Sequence, residues 1–199
     1  MTSELYAFDS ELRAQHGVIC GVDEAGRGPL CGPVCVAAVI LNEADPIDGI
    51  NDSKKLSEKK REALYTRIIE NAVSYQVVFV EPAVIDEINI LQATMLGMKN
   101  AIEGLSFVPS LALIDGNRCP NTAIPTKYVI KGDAHSASIA AASILAKVTR
   151  DRYMQQLALE YPQYQLEKHK GYPTKLHYAL LQQYGIQSFY RKSFLKNMV

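Results

Sequence analysis

Two apolar runs, Val18 to Val22 and Val34 to Leu41, are joined by about ten residues rich in glycine and proline, too few for a crossover helix. They predict two antiparallel strands. Ser57 is placed to cap a helix whose apolar positions Leu64, Ile68, Ile69 and Ala72 share one face, and a strand from Tyr75 to Val80 follows. Pro82 starts a short helix through Ile88. A second helix carries Leu91, Met95, Met98, Ile102 and Leu105 at close to helical spacing, with Gly104 as its stop.

Leu111 to Ile114 reads as a short buried strand ending on Asp115, and Tyr128 to Ile130 as another that runs through Lys131 and Gly132 to Asp133. Ala137 to Leu159 is alanine-rich, with Ile139, Ala142, Leu145, Ala146 and Tyr153 on one helical face suited to close packing on a sheet. After a loop from Tyr161 to Thr174, a last helix near Lys175 to Tyr184 ends at Gly185. Antiparallel strands followed by alternating strands and helices predict an α/β domain, with a mixed sheet flanked by helices and a helical C-terminal part.

Composition narrows the class. At 199 residues and 48% hydrophobic, the chain can bury one large core, and a single domain over 1–199 is expected, with its core at 17–160 and a helical part at 161–199. No run approaches the roughly 18 apolar residues of a membrane span. Met1 to Leu12 carries three acids and so reads as no secretory signal, and a monomeric cytoplasmic protein is expected. Cys20, Cys31, Cys35 and Cys119 show no paired metal spacing and read as reduced thiols. Net charge is zero, but residues 1–52 hold nine acids against two bases, and residues 53–199 hold 19 bases against 12 acids. Lysines and arginine bunch at 54–61, a pattern shared by ordinary solvated faces and by phosphate contacts.

Residues 21–28 read Gly-Val-Asp-Glu-Ala-Gly-Arg-Gly and place Asp23 and Glu24 at the end of a buried strand. Buried carboxylates need a cation or hydrogen-bond donors, and a hard divalent metal is one such cation. A polar turn is the other reading of the octet, and the octet alone does not choose between them. Asp115 and Asp133 decide it, because acids at strand ends from three segments are how an α/β fold builds a metal or catalytic site. All-oxygen ligands favour magnesium or manganese, and a pair of such ions can clamp a phosphate displacement. Side chains of Asp23 and Glu24 alternate on a regular strand, so a turn at Ala25-Gly26 is needed to bring both to one side. Asp151 is set aside as a helical ion pair with Lys147, and Asp52, Asp86 and Glu87 as solvated; none of the four histidines is assigned to metal. Gly26-Arg27-Gly28 leads into a strand instead of a helix, which excludes a dinucleotide loop, while the glycines let backbone and guanidinium approach a sugar-phosphate.

Gly21-Val-Asp-Glu-Ala-Gly-Arg-Gly, Asn51-Asp-Ser-Lys-Lys-Leu, Ile114-Asp-Gly-Asn, Lys131-Gly-Asp, Ala141-Ala-Ser-Ile-Leu-Ala-Lys-Val and His169-Lys-Gly-Tyr, in this order, closely resemble the type 2 ribonucleases H of bacteria, the ribonuclease HII family. The resemblance runs from about Val18 to Phe194 and implies a ribonuclease H-like fold. It also implies cleavage of RNA in RNA–DNA hybrids and at single ribonucleotides in duplex DNA, cut on the 5′ side to leave 5′-phosphate and 3′-hydroxyl. By the same resemblance Asp23, Glu24, Asp115 and Asp133 hold magnesium or manganese, and Gly26, Arg27 and Gly28 read the ribose 2′-hydroxyl. Tyr172 packs on the sugar at the RNA–DNA junction, and Lys54 and Lys55 contact backbone phosphates. The competing readings are a type 3 ribonuclease H, whose extra N-terminal domain the 17 residues before Val18 cannot supply, and a non-catalytic nucleic-acid-binding module, which leaves four phosphate-repelling acids unexplained. Gln187 to Phe194 superficially resembles a sliding-clamp peptide, but its spacing is degenerate and its aromatics are expected to dock the C-terminal segment on the domain.

Overall fold

Every residue of β2 (Val34–Ile40) is buried, because helices cover both of its faces. In the computed structural model, which describes residues 2–195, β2 lies in a five-stranded sheet with β1 (Ile19–Ala25), β3 (Ser74–Val80), β4 (Leu111–Asp115) and β5 (Thr126–Val129). The order is β3-β2-β1-β4-β5; β2 runs antiparallel to β1 and β3, while β4 runs parallel to β1 and β5. The short glycine- and proline-containing connection from β1 to β2 forces the antiparallel pairing; the helices between β2 and β4 allow β4 to lie parallel to β1, while β5 reaches its parallel place beside β4 through residues 116–125, which form no helix.

Six helices surround the sheet: α1 (Thr2–His16), α2 (Glu58–Asn71), α3 (Pro82–Glu103), α4 (Ala137–Glu160), α5 (Leu166–His169) and α6 (Lys175–Tyr184). On one face α3 packs Met98, Ala101 and Ile102 against Cys20, Val22, Val36 and Ala38. On the other, α2 and α4 cover Cys35, Ala37 and Val39. The small residues of α4 let it come so close that a Cβ added at Gly21 would sit 2.1 Å from the Ser138 carbonyl carbon. A larger residue there would push the helix off the acid-bearing strand. Among the described residues no helix is long and apolar enough to cross a membrane.

Helix caps follow the sequence closely. The Ser57 and Ser136 hydroxyls accept from the N–H groups of Lys60 and Ile139, and Gly104 and Gly185 close α3 and α6. The two helices expected around residue 89 form one run broken at Asn89, which adopts φ 66° and caps the second half by accepting from Leu91 and Gln92.

Elsewhere the chain departs from its pattern. Residues before Val18, to which the pattern assigns no element, form α1. Its buried Asp9 accepts from the Ser136 hydroxyl at 2.6 Å and from the Ser138 N–H and hydroxyl at 2.8 and 2.7 Å, which ties α1 to the start of α4. The loop 161–174 contains the single turn α5. Strand β5 stops at Val129, so Asp133 does not end a strand: Lys131 turns into the left-handed region at φ 55°, and Asp133 sits on the turn Gly132–Ala134 that follows.

Asp86 also differs from expectation. Asp86 accepts from the N–H groups of Lys192 and Ser193, and from the Ser193 hydroxyl at 2.5 Å, and so clasps the C-terminal segment instead of facing solvent. Burial alone would raise its pKa, but these donors outweigh burial and hold it below the ordinary value. His169 and His177 are buried and stacked with centroids 4.0 Å apart. Phe189 and Tyr190 are buried in a cluster with Leu30, Tyr164 and Leu181, so the Gln187–Phe194 segment is docked as expected. The cysteines are free, and three of them are buried.

Candidate active site

The last register step shared by β1 and β4 pairs Val22 with Ile114, and the next residues are Asp23 and Asp115. Two carboxylates thus stand side by side where the parallel strands end, a place at which α/β sheets open a crevice. Asp115 is fixed by the N–H of Gly132, which donates to its Oδ1 at 2.6 Å, and this bond brings the Asp133 turn to the same crevice. Lys54 reaches in from the 53–55 turn, with its Nζ 3.8 Å from Asp133 Oδ2.

The turn expected at Ala25-Gly26 falls at Gly26, after both acids. Strand β1 stays regular through Ala25, paired with Cys35, and the chain turns only at Gly26, where φ is +94°. Asp23 faces α4 and accepts a hydrogen bond from Ser143, whereas Glu24 borders a hollow of about 210 Å³ shared with Met95 and Met98 of α3 and with Asp115. Both reach the crevice because β4 ends beside them, so no backbone reversal is needed. The Glu24 N–H donates to Asp23 Oδ1 at 2.7 Å, and Arg27 Nη1 lies 3.4 Å from Glu24 Oε1.

Crowding shows in the electrostatics. Burial first, then the charges of Glu24 and Asp115, push Asp23 well above the ordinary carboxylate range. Burial raises Glu24 as well, with Arg27 opposing and Asp115 adding to the rise. Asp133 is raised by burial, then by Asp115 and Asp52, with Lys54 opposing. For Lys54, burial works against the charge but the surrounding acids outweigh it, and its pKa is raised. Arg27 and Lys54 only partly offset the crowding of negative charge. Among the described residues no three Asp, Glu, His or Cys side chains close on one point as a finished ligand group. Glu24 and Asp115 line one hollow, and Asp23 and Asp133 each lie close enough to Asp115 to feel its charge; the four carboxylates offer oxygen donors, a set that fits a hard divalent ion.

A second hollow, of about 220 Å³, adjoins the first across Glu24 and Arg27, and Gly28, Ser53, Lys54, Ser143, Lys147 and Tyr172 also line it. Its glycines differ in purpose. A Cβ at Gly26 would lie 2.0 Å from the Arg150 side chain, whereas a Cβ at Gly28 would meet only the Tyr172 ring, at 3.7 Å. Gly26 is demanded by the fold; Gly28 leaves the hollow open. Tyr172 is brought alongside by Gly171, whose carbonyl accepts from the Leu30 N–H at 2.8 Å and whose positive φ brings it against Cys31. Lys55 lies outside the hollow, 3.9 Å from Asp52. Two larger hollows, of about 490 and 470 Å³, hold no cluster of acids, so size alone does not locate the site.

Three side chains of the site escape the sequence reading. Ser143 holds Asp23, and the Ser53 hydroxyl stands 2.9 Å from it. A serine inside the buried alanine run of α4 was the available signal. Asp52 is not simply solvated: it caps the 53–55 turn by accepting from the Lys54 N–H at 2.9 Å, and it faces Asp133. Asp151 does pair with Lys147, at 2.7 Å.

Comparison with known proteins identifies the family and the fold. The family model described as Ribonuclease HII matches residues 20–197. A ribonuclease HII from Caldicellulosiruptor saccharolyticus is 54% identical over 188 residues, 94% of this chain and 92% of that protein. Among solved structures, a ribonuclease H2 from Pyrococcus horikoshii OT3 superposes with a TM-score of 0.74 at 29% identity, covering 88% of this chain and 92% of its own. The ribonuclease HII of Archaeoglobus fulgidus, solved as a complex with PCNA, gives 0.74 at 27% identity over 87% of this chain and 93% of that one. With the crevice acids, the mixed sheet and a match over nearly the whole length in agreement, the chain belongs to the ribonuclease HII family.

Proposed function

We propose that this ribonuclease HII, an endoribonuclease acting on RNA in RNA–DNA hybrids, also cuts duplex DNA on the 5′ side of a single embedded ribonucleotide. The observation that carries the reading is the hollow beside Glu24: Gly28 contributes no side chain to it, Arg27 and Tyr172 flank it, and it adjoins the acid crevice. A ribose seated there would bring its 2′-oxygen against loop backbone and guanidinium, the contact by which RNA is told from DNA.

Asp23, Glu24, Asp115 and Asp133 are the residues that would hold magnesium or manganese, as a pair of ions in the two-metal manner. Such ions would activate the attacking water and offset charge on the phosphoryl oxygens. The protein's own part is placement. Gly132 N–H holds Asp115 and Glu24 N–H holds Asp23, so carboxylate oxygens of both are oriented before substrate arrives. Lys54, four-fifths exposed, extends over the crevice where it meets a backbone phosphate, and Lys55 contacts the strand further out. Tyr172 offers a ring face to the sugar at the junction. The scissile P–O3′ bond breaks to leave a 3′-hydroxyl on the upstream deoxynucleotide and a 5′-phosphate on the ribonucleotide.

The test is a labelled duplex holding one ribonucleotide, incubated with magnesium, with manganese and with chelator, and the cut mapped at nucleotide resolution. A single cut 5′ to the ribonucleotide, absent with chelator, is expected. A cut on its 3′ side, or none in either metal while a long hybrid is degraded, would overturn the reading.

A further inference from the structure

Arg191 is fully buried, and among the described residues no carboxylate lies within ion-pair distance of it. Its guanidinium is spent on backbone carbonyls of the β1–β2 connection: Nη2 donates to Gly26 at 2.6 Å, Nη1 to Arg27 at 3.0 Å and to Pro29 at 2.8 Å, and Nε to Gly32 at 2.9 Å. Four carbonyls of one loop are thereby held by a single planar group. A lysine has no such fork and cannot reproduce the pattern.

The segment carrying Arg191 is itself anchored on both sides. Cys31 and Tyr190 form an isolated antiparallel bridge, with Gly32 N–H donating to Phe189 and Arg191 N–H to Leu30 at 2.8 and 2.9 Å. Immediately beyond, Asp86 at the first half of α3 takes its three hydrogen bonds from Lys192 and Ser193. Burying an unpaired guanidinium is costly, and packing alone does not require one at this position. A backbone that must keep its carbonyls turned inward, so that the opposite edge of the loop faces the hollow, does require it.

We propose that Arg191 is a positioning residue for substrate selection: by drawing the carbonyls of Gly26, Arg27, Pro29 and Gly32 into the interior, it sets the loop edge that Arg27 and Gly28 present to a ribose. The proposal rests on the ribose-reading role assigned above to that loop. Asp86 acts one step further out, by fixing the segment from which Arg191 reaches.

The experiment measures binding, with EDTA present so that nothing is cut, to a labelled duplex containing one ribonucleotide and to an all-DNA duplex of the same sequence. The wild-type chain prefers the ribonucleotide duplex. In Arg191→Lys that preference falls by about tenfold, as expected for a reading group displaced by a fraction of its reach, while affinity for all-DNA is unchanged. Asp86→Ala, which loosens the strap from outside the core and preserves the fold even where the arginine variant does not, lowers the preference in the same direction by less. A merely structural role would reduce the folded fraction and weaken both affinities together; a preference unchanged in Asp86→Ala and in folded Arg191→Lys overturns the proposal. Equal affinities in the wild type would instead overturn the ribose reading itself, and the proposal with it.

Discussion

Asp115 accepts a hydrogen bond of 2.6 Å from the Gly132 N–H, so the carboxylate at the end of β4 and the turn that carries Asp133 are one rigid assembly. Asparagine at 115 keeps a carbonyl oxygen able to accept that bond, removes the charge and turns the second oxygen into an amide donor. Asp115→Asn therefore folds with wild-type stability and loses turnover in magnesium by on the order of 10³-fold, the scale of losing one preorganised electrostatic partner. Thermal unfolding and single-turnover cleavage together check this; near-normal cleavage would remove Asp115 from the site.

Tyr172 is 43% exposed and lines the hollow. Its truncation removes little packing, so Tyr172→Ala changes stability by less than about 0.5 kcal/mol. Cleavage at a lone embedded ribonucleotide is expected to fail in this variant. Unchanged rates on that substrate would reduce the tyrosine to a surface ring.

The two loop glycines separate folding from recognition. Gly26→Ala meets a positive φ and the Arg150 side chain, and should cost more than about 1 kcal/mol, read as a lowered urea midpoint. Gly28→Ala has room for its methyl group against Tyr172 and keeps the midpoint. Its defect should appear as a raised KM for the ribonucleotide duplex. A stable, fully active Gly28→Ala would show that the hollow does not receive the sugar.

His177 gives the fold an acid limit. Burial, despite a hydrogen bond to the Tyr172 carbonyl, pulls its pKa down to about 4, and the stacked His169 is lowered as well, again chiefly by burial. The unfolded imidazole takes a proton near pH 6.5 and the folded one does not, so the unfolded chain binds more protons between these values. The stabilisation is complete above pH 6.5 and lost as pH falls toward 4, on the order of 2 kcal/mol after solvent screening is allowed for. Urea midpoints at pH 7, 5.5 and 4 measure it. In His177→Gln the slope flattens; an equal slope would place the titrating groups elsewhere.

What the sequence revealed, and what it hid, has a physical basis. The runs at Val18 and Val34 announce buried strands because both faces are covered, and Asp23 and Asp115 stand out because an acid rarely ends such a run. Helix α1 escapes notice because it turns Asp9 inward between Leu5 and Leu12, and only the hydroxyls of Ser136 and Ser138, far along the chain, make that burial tolerable. Asp133 was legible as a member of the acid set but not as part of a turn, since nothing in Lys131 advertises a left-handed backbone. The turn expected at Ala25-Gly26 is there at Gly26, but it is not what brings Glu24 to the crevice: the expectation assumed that two faces of a strand stay separate, and beyond the end of β4 they do not. Arg191 left no trace at all, because its partners are carbonyl oxygens, which every residue possesses.

The span of 165 residues between Gly26 and Arg191 has a consequence for biosynthesis. At the roughly 5 to 20 residues per second of protein synthesis, the loop waits about 10 to 30 s for the guanidinium that orders it. All four crevice carboxylates are translated before that moment. A nascent chain therefore acquires its four crevice acids well before Arg191, and the carbonyls of Gly26, Arg27, Pro29 and Gly32 gain their shared donor only after the whole sheet has been synthesised.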